Sequence, residues 1–204
     1  MKTDQFNIVL SGVGGQGTLL AAEILGTAAV KEGLNVRVSE IHGMAQRGGA
    51  VVSTVRIGEK VQAPTVLEGQ ANVLVGFEPI ETVRSLKFAS ERTLVLMSSE
   101  RIPPSELAAN KMKYPDMKGI VEKIHQFTGK IITVETERLA REAGSTLTRN
   151  IVLIGALAAA EKLPVKNESL VEAIRELVPA KHMDVNVKAF KLGYEYVKKM
   201  KVRA

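Results

Sequence analysis

The 204-residue chain contains no cysteine and no tryptophan. Without cysteine it can form no disulfide, offers no thiolate to zinc or an iron–sulfur cluster, and has no cysteine nucleophile. Aromatic residues make up only 4% of the chain, too few for a base-stacking platform. No nucleic-acid-binding motif accompanies them, so nucleic acid is set aside as a partner despite a net charge of +6. Part of that cationic excess lies in YVKKMKVRA, where Lys198, Lys199, Lys201 and Arg203 suit the negative end of a helix dipole. No apolar run approaches the ~20 residues that span a bilayer, which argues against a membrane partner. The opening residues, MKTDQFNIVLSG, have no apolar stretch of signal-peptide length and enter a strand at once, so a cytoplasmic protein is expected.

What is present has the composition and length of one α/β domain. A chain of this size buries about 70% of its unfolded surface and needs no covalent staple. FNIVLS, Phe6 to Ser11, is a short apolar run ending in glycine, as in a buried central strand. Thr18 to Glu32 reads as a helix that Gly33 stops, and Asn35 to Glu40 alternates like a second strand. The first forty residues therefore predict a right-handed βαβ unit. Further strands are expected at Val51 to Ile57, with Val61 to Pro64 pairing beside it, and at Ala71 to Gly76, Thr93 to Met97 and Ile131 to Val134. Helices are expected from Pro79 to Phe88 and from Met117 to Phe127. IPPSELAANKMKYP is weakly patterned. The last third is helical, with segments at Thr148 to Lys162, Glu168 to Leu177 and Val185 to Met200. The expected architecture is a three-layer, Rossmann-like, mostly parallel sheet flanked by helices. It forms a single domain over 1–204 whose helical C-terminal part begins at about 145.

Two loops carry the chemistry. GVGGQG has Gly12, Gly14 and Gly17 at the spacing G-x-G-x-x-G, between a strand and a helix, and Glu40 ends the next strand where a ribose-binding acid would stand. The glycines either bring a phosphate to the helix amides, beginning at Thr18, or simply permit close helix–strand packing. Gly15 and Gln16 are residues that the dinucleotide fingerprint does not ask for. The second loop, IHGMAQRGGA, is unusually polar. Its glycines, Gly43, Gly48 and Gly49, can adopt positive φ and bring backbone amides to a surface. Gln46 and Arg47 are planar donors suited to a carboxylate or phosphate, and His42 adds a side chain of the type that can exchange a proton near neutral pH. Together with Met44 they favour a ligand site or an interface. No pair of acids has a spacing that argues for general acid–base work, so no catalytic residue is assigned to this chain.

GxGGQG followed by HGMAQRGG-x-V-x-S resembles the gamma subunits and domains of 2-oxoacid:acceptor oxidoreductases. Within that family it is most similar to the small subunits of indolepyruvate ferredoxin oxidoreductases. The resemblance continues through ANVLVGFEPIETVR, RNIVLIGALAAA and VPAKHMDVNVKAFKLGYE, over essentially the whole chain. It implies a subunit inactive alone, paired with a large subunit as a heterodimer or its dimer. That partner holds thiamine diphosphate and iron–sulfur clusters, coenzyme A takes the acyl group, and ferredoxin takes the electrons. The chain itself binds no cofactor firmly, having neither cysteine nor a GDG…NN signature. Its two loops would lie side by side, Gln46 and Arg47 facing the partner, the substrate carboxylate or coenzyme A phosphates. An exposed partner surface would allow a homodimer when the chain is isolated. The competing readings are a free-standing NAD(P)-dependent dehydrogenase using Glu40, and a nucleotide- or coenzyme-A-binding module.

Overall fold

The apolar run that opens the chain becomes a central strand. The computed structural model describes residues 4–42, 48–102, 113–160 and 163–203, with the side chains of His42 and Arg203 left out. Its strands are β1 (Phe6–Val13), β2 (Val36–His42), β3 (Ala50–Ile57), β4 (Val73–Gly76), β5 (Leu94–Ser98) and β6 (Ile131–Val134). They form one six-stranded sheet in the order β2-β3-β1-β4-β5-β6. β3 is antiparallel to both neighbours and the remaining pairs are parallel, so the sheet is mixed but mostly one-directional.

The helices are α1 (Thr18–Lys31), α2 (Pro79–Arg84), α3 (Met117–His125), α4 (Thr136–Ala143), α5 (Arg149–Ala160), α6 (Asn167–Leu177) and α7 (Met183–Arg203). α1 and α4 to α7 cover one face, over a core that includes Ile8, Leu10, Val55, Leu25 and Ile154. α2 and α3 cover the other, over Val9, Leu74, Val95, Ile120 and Ile124. Crossovers thus leave β1 and β4 towards opposite faces, which makes the gap between these two strands the topological switch point.

The expected βαβ unit is interrupted. β3 lies between β1 and β2, because its side chains are mostly buried on both faces whereas Arg37, Ser39 and Glu40 of β2 tolerate an edge. Val61 to Pro64 is not a strand. Instead Thr54 Oγ1 and the Arg56 guanidinium donate to the carbonyls of Pro64, Ala63 and Thr65. The helix opened by Pro79 ends at Arg84, and a separate 3-10 turn covers Leu86–Phe88. α4 was not anticipated, its charges masking a stripe of buried Thr136, Leu139, Ala140 and Ala143. Part of the weakly patterned segment, 103–112, lies outside the described residues, as does Lys162 at the end of an expected helix.

The alanine-rich α5 is core, and it crosses α7 at close backbone approach. A Cβ built on Gly155 would lie 2.0 Å from the Phe190 carbonyl oxygen, and one on Gly193 would lie 2.0 Å from that of Val152. Two backbones therefore touch where side chains usually intervene. Gly155→Ala should destabilise the chain by about 3 kcal/mol, at the top of the usual range for overpacking. Urea unfolding checks this, and an unchanged midpoint would contradict it.

Candidate functional site

The C-terminal edge of the sheet gathers the glycine loops. Val13, the last residue of β1, pairs with Ala50, the first of β3. The second loop therefore ends beside the first, and the Gly14 N–H donates to the Gly49 carbonyl at 2.8 Å. Gly48 takes a positive φ of 78°, the left-handed conformation open to glycine. The His42 backbone is level with this edge, since it pairs with Val51, which in turn pairs with Gly12. Gly43, Met44, Gln46 and Arg47 lie outside the described residues. Glu40, on β2, pairs with Ser53 of β3 and is separated from β1 by the whole of β3, about 10 Å of sheet. It does not stand beside the glycine loop as the acid of a dinucleotide fold does.

Gln16 turns inward. Its Oε1 accepts from the Val13 N–H at 2.7 Å, and its Nε2 donates to the Phe77 carbonyl at 3.0 Å. A Cβ on Gly12 would meet Gln16 Oε1 and Phe77 Cβ at 2.8 Å and Thr18 at 3.0 Å, so glycine is required there by contact. Gly17 has φ +79° and abuts Asn150 of α5, whose Nδ2 donates to the Gly17 carbonyl at 3.4 Å. Thr18 is buried under this turn, whereas Gly15 is exposed at φ +98° with nothing within 4 Å of a built Cβ. Leu19 and Leu147, each two or three residues along the chain from the Gly17–Asn150 contact, are apolar and exposed.

The neighbouring strand ends carry polar groups that sequence reasoning did not assign to the site. Glu78 follows β4 and is fully buried. Its carboxylate accepts from the Ile80 and Glu81 N–H groups of α2 and from the Tyr114 hydroxyl. Burial and that carboxylate push the Tyr114 phenol far above its ordinary range, while the Arg101 guanidinium sits 5.6 Å from its ring centre. Beyond β5, Arg149 at the start of α5 pairs with Glu100, to which Glu137 is also hydrogen-bonded. Glu100 and Glu137 line an open depression of about 610 Å³ together with Ser99, Arg101, Glu135 and Arg138. A capping signal, Glu before Pro, was legible at Glu78, but nothing local linked Tyr114 or Arg149 to this edge.

Residues 7–196 match the family described as pyruvate ferredoxin/flavodoxin oxidoreductase. The chain is 45% identical over 199 residues to the indolepyruvate oxidoreductase subunit IorB of Thermococcus kodakarensis, covering 96% of this chain and 98% of that one. To the pyruvate/ketoisovalerate oxidoreductases common subunit gamma of the same organism it is 29% identical, covering 87% and 89%. The gamma subunit of the keto/oxoacid ferredoxin oxidoreductase from Geobacter sulfurreducens superposes with a TM-score of 0.66 at 26% identity, over 94% of this chain and 98% of that one.

Glu100 gives the edge a pH signature. Burial raises its pKa above the ordinary 4.5, against the pull of Arg149. The fold thus favours the protonated form, and this group's contribution to stability falls as pH rises from the unfolded pKa through the raised folded value. Glu137, held low chiefly by Arg141, acts in the opposite sense and below 4.5. Glu100→Gln should therefore flatten the loss of stability as pH climbs above 4.5. Denaturant melts across that window check this, and an unaltered slope would contradict it.

Proposed function

The chain belongs to the pyruvate ferredoxin/flavodoxin oxidoreductase family, and on that premise we propose that it is the small, gamma-type subunit of an indolepyruvate-class 2-oxoacid:ferredoxin oxidoreductase. The enzyme oxidatively decarboxylates an arylpyruvate to the acyl-coenzyme A and passes the electrons to ferredoxin. The observation that carries this reading is the contrast between relatives: 45% identity to an indolepyruvate oxidoreductase subunit against 29% to a pyruvate/ketoisovalerate gamma subunit, both over nearly full length.

The residues of this chain do not fit the redox cofactors. An iron–sulfur cluster needs thiolates, and the sequence has none. Thiamine diphosphate and the clusters belong to a large partner subunit in the cytoplasm, and this chain completes the partner's cleft. Its contribution is the glycine-rich edge, where Gly14, Gly15, Gly17, Gly48 and Gly49 provide backbone and no side chain, over buried Gly12 and Thr18. Gln46 and Arg47, with His42 and Met44 beside them, meet the substrate carboxylate or coenzyme A phosphates. Exposed Leu19 and Leu147 on the same edge suit a protein contact. A dehydrogenase reading has less support, since β3 separates Glu40 from the glycine loop.

Reconstitution with the large subunit tests this. The wild-type chain should confer indolepyruvate-dependent acceptor reduction that the large subunit lacks alone. Arg47→Ala should lower turnover by about tenfold or more with an unchanged melting temperature. Full activity without this chain would overturn the proposed role, and full activity in the variant would remove Arg47 from the site.

A further inference from the structure

We propose that Gln16 is a positioning residue, an internal ligand that fills the switch-point crevice between β1 and β4 and so fixes the glycine surface shown to the partner subunit. The proposal deepens the subunit reading above and rests on it for the identity of the partner.

Open α/β folds receive ligands between the C-terminal ends of the strands whose crossovers diverge. Here those ends are Val13 and Gly76, and the Gln16 carboxamide bridges across them, accepting from the Val13 N–H and donating to the carbonyl of Phe77, the residue that follows β4. Its Oε1 also takes the space directly over Gly12, at 2.8 Å from a built Cβ. A ligand reaching for Gly12, as a dinucleotide pyrophosphate does, would have to expel the side chain and leave two backbone groups without their partner. A carboxamide supplies acceptor and donor together at this reach. Glutamate would accept only and would set a charge against the Phe77 carbonyl, and methionine would match the volume with neither function.

The turn is then held from three sides. Gln16 ties it to β4, the Gly14 N–H ties it to Gly49, and Asn150 ties Gly17 to α5. Gly15 is left outermost, without a side chain. The glycines thus form a rigid backbone surface rather than a nucleotide cradle, and they work by fitting a cleft whose chemistry lies on the other subunit.

Gln16→Met and Gln16→Glu, each assembled with the large subunit, test this. Both should assemble with wild-type stoichiometry and keep KM for indolepyruvate within about twofold, while kcat falls about tenfold or more, as for a misplaced active-site wall. The Val13 amide should exchange faster in the free Gln16→Met chain, and the free wild-type chain should show no binding of NAD by calorimetry. Wild-type kcat in both variants would overturn the proposal, and so would NAD binding to the wild-type chain, a result that depends on no variant folding. Should the wild-type chain fail to activate the large subunit, the subunit reading falls. The Val13 exchange and the NAD titration would still decide whether Gln16 fills the crevice.

Discussion

The backward course of β3 is the constraint on which the site depends. Because β3 runs antiparallel between β1 and β2, the chain leaving β2 must turn at the C-terminal edge and re-enter the sheet beside the β1 turn. Two glycine loops separated by a helix and a strand are thereby brought within one hydrogen bond of each other. The same insertion moves Glu40 away from the first loop. A single topological choice thus assembles a two-loop edge and dismantles a dinucleotide site.

Glycine does two different jobs in this chain. Gly155 and Gly193 let α5 and α7 pack backbone to backbone, and Gly76 admits Thr82 of α2 against β4, where a Cβ would lie 1.7 Å from the threonine hydroxyl. These are requirements of packing and belong to the scaffold. Gly15 has open space around it and a positive φ, so its requirement is conformational. The first group sets the rigidity of the layers behind the edge. The second gives the edge a surface that side chains do not obstruct.

Much of this was legible in the sequence because the strands are short apolar runs with glycine or proline punctuation. β6 has the boundaries expected of it, and β1 extends only two residues beyond its expected end. Strand order was not legible, since apolar β3 and alternating β2 compete for the interior through burial on both faces, which no local pattern expresses. α4 was hidden by its exposed Glu135–Arg138 and Glu137–Arg141 pairs, although its buried stripe is regular. The glycine spacing marks the strand-to-helix turn that the structure shows between Val13 and Thr18. It could not reveal that Gln16 folds back into it, because Phe77 is 61 residues away. Arg149, Asn150 and Tyr114 also reach the edge through contacts distant in sequence. The second loop stands out through its composition, and it is the specific part of a resemblance that runs over essentially the whole chain.

In the proposed role, the C-terminal edge of the sheet is the surface at which this chain meets a large catalytic subunit. Amide hydrogen exchange of the chain, free and in complex with that subunit, tests it most directly. Protection gained on assembly at 14–19, 43–49 and 147–150, with the opposite edge near Gln70 and Arg92 unaffected, is the predicted result. Protection concentrated at that opposite edge, with the glycine loops exchanging as in the free chain, would contradict the account.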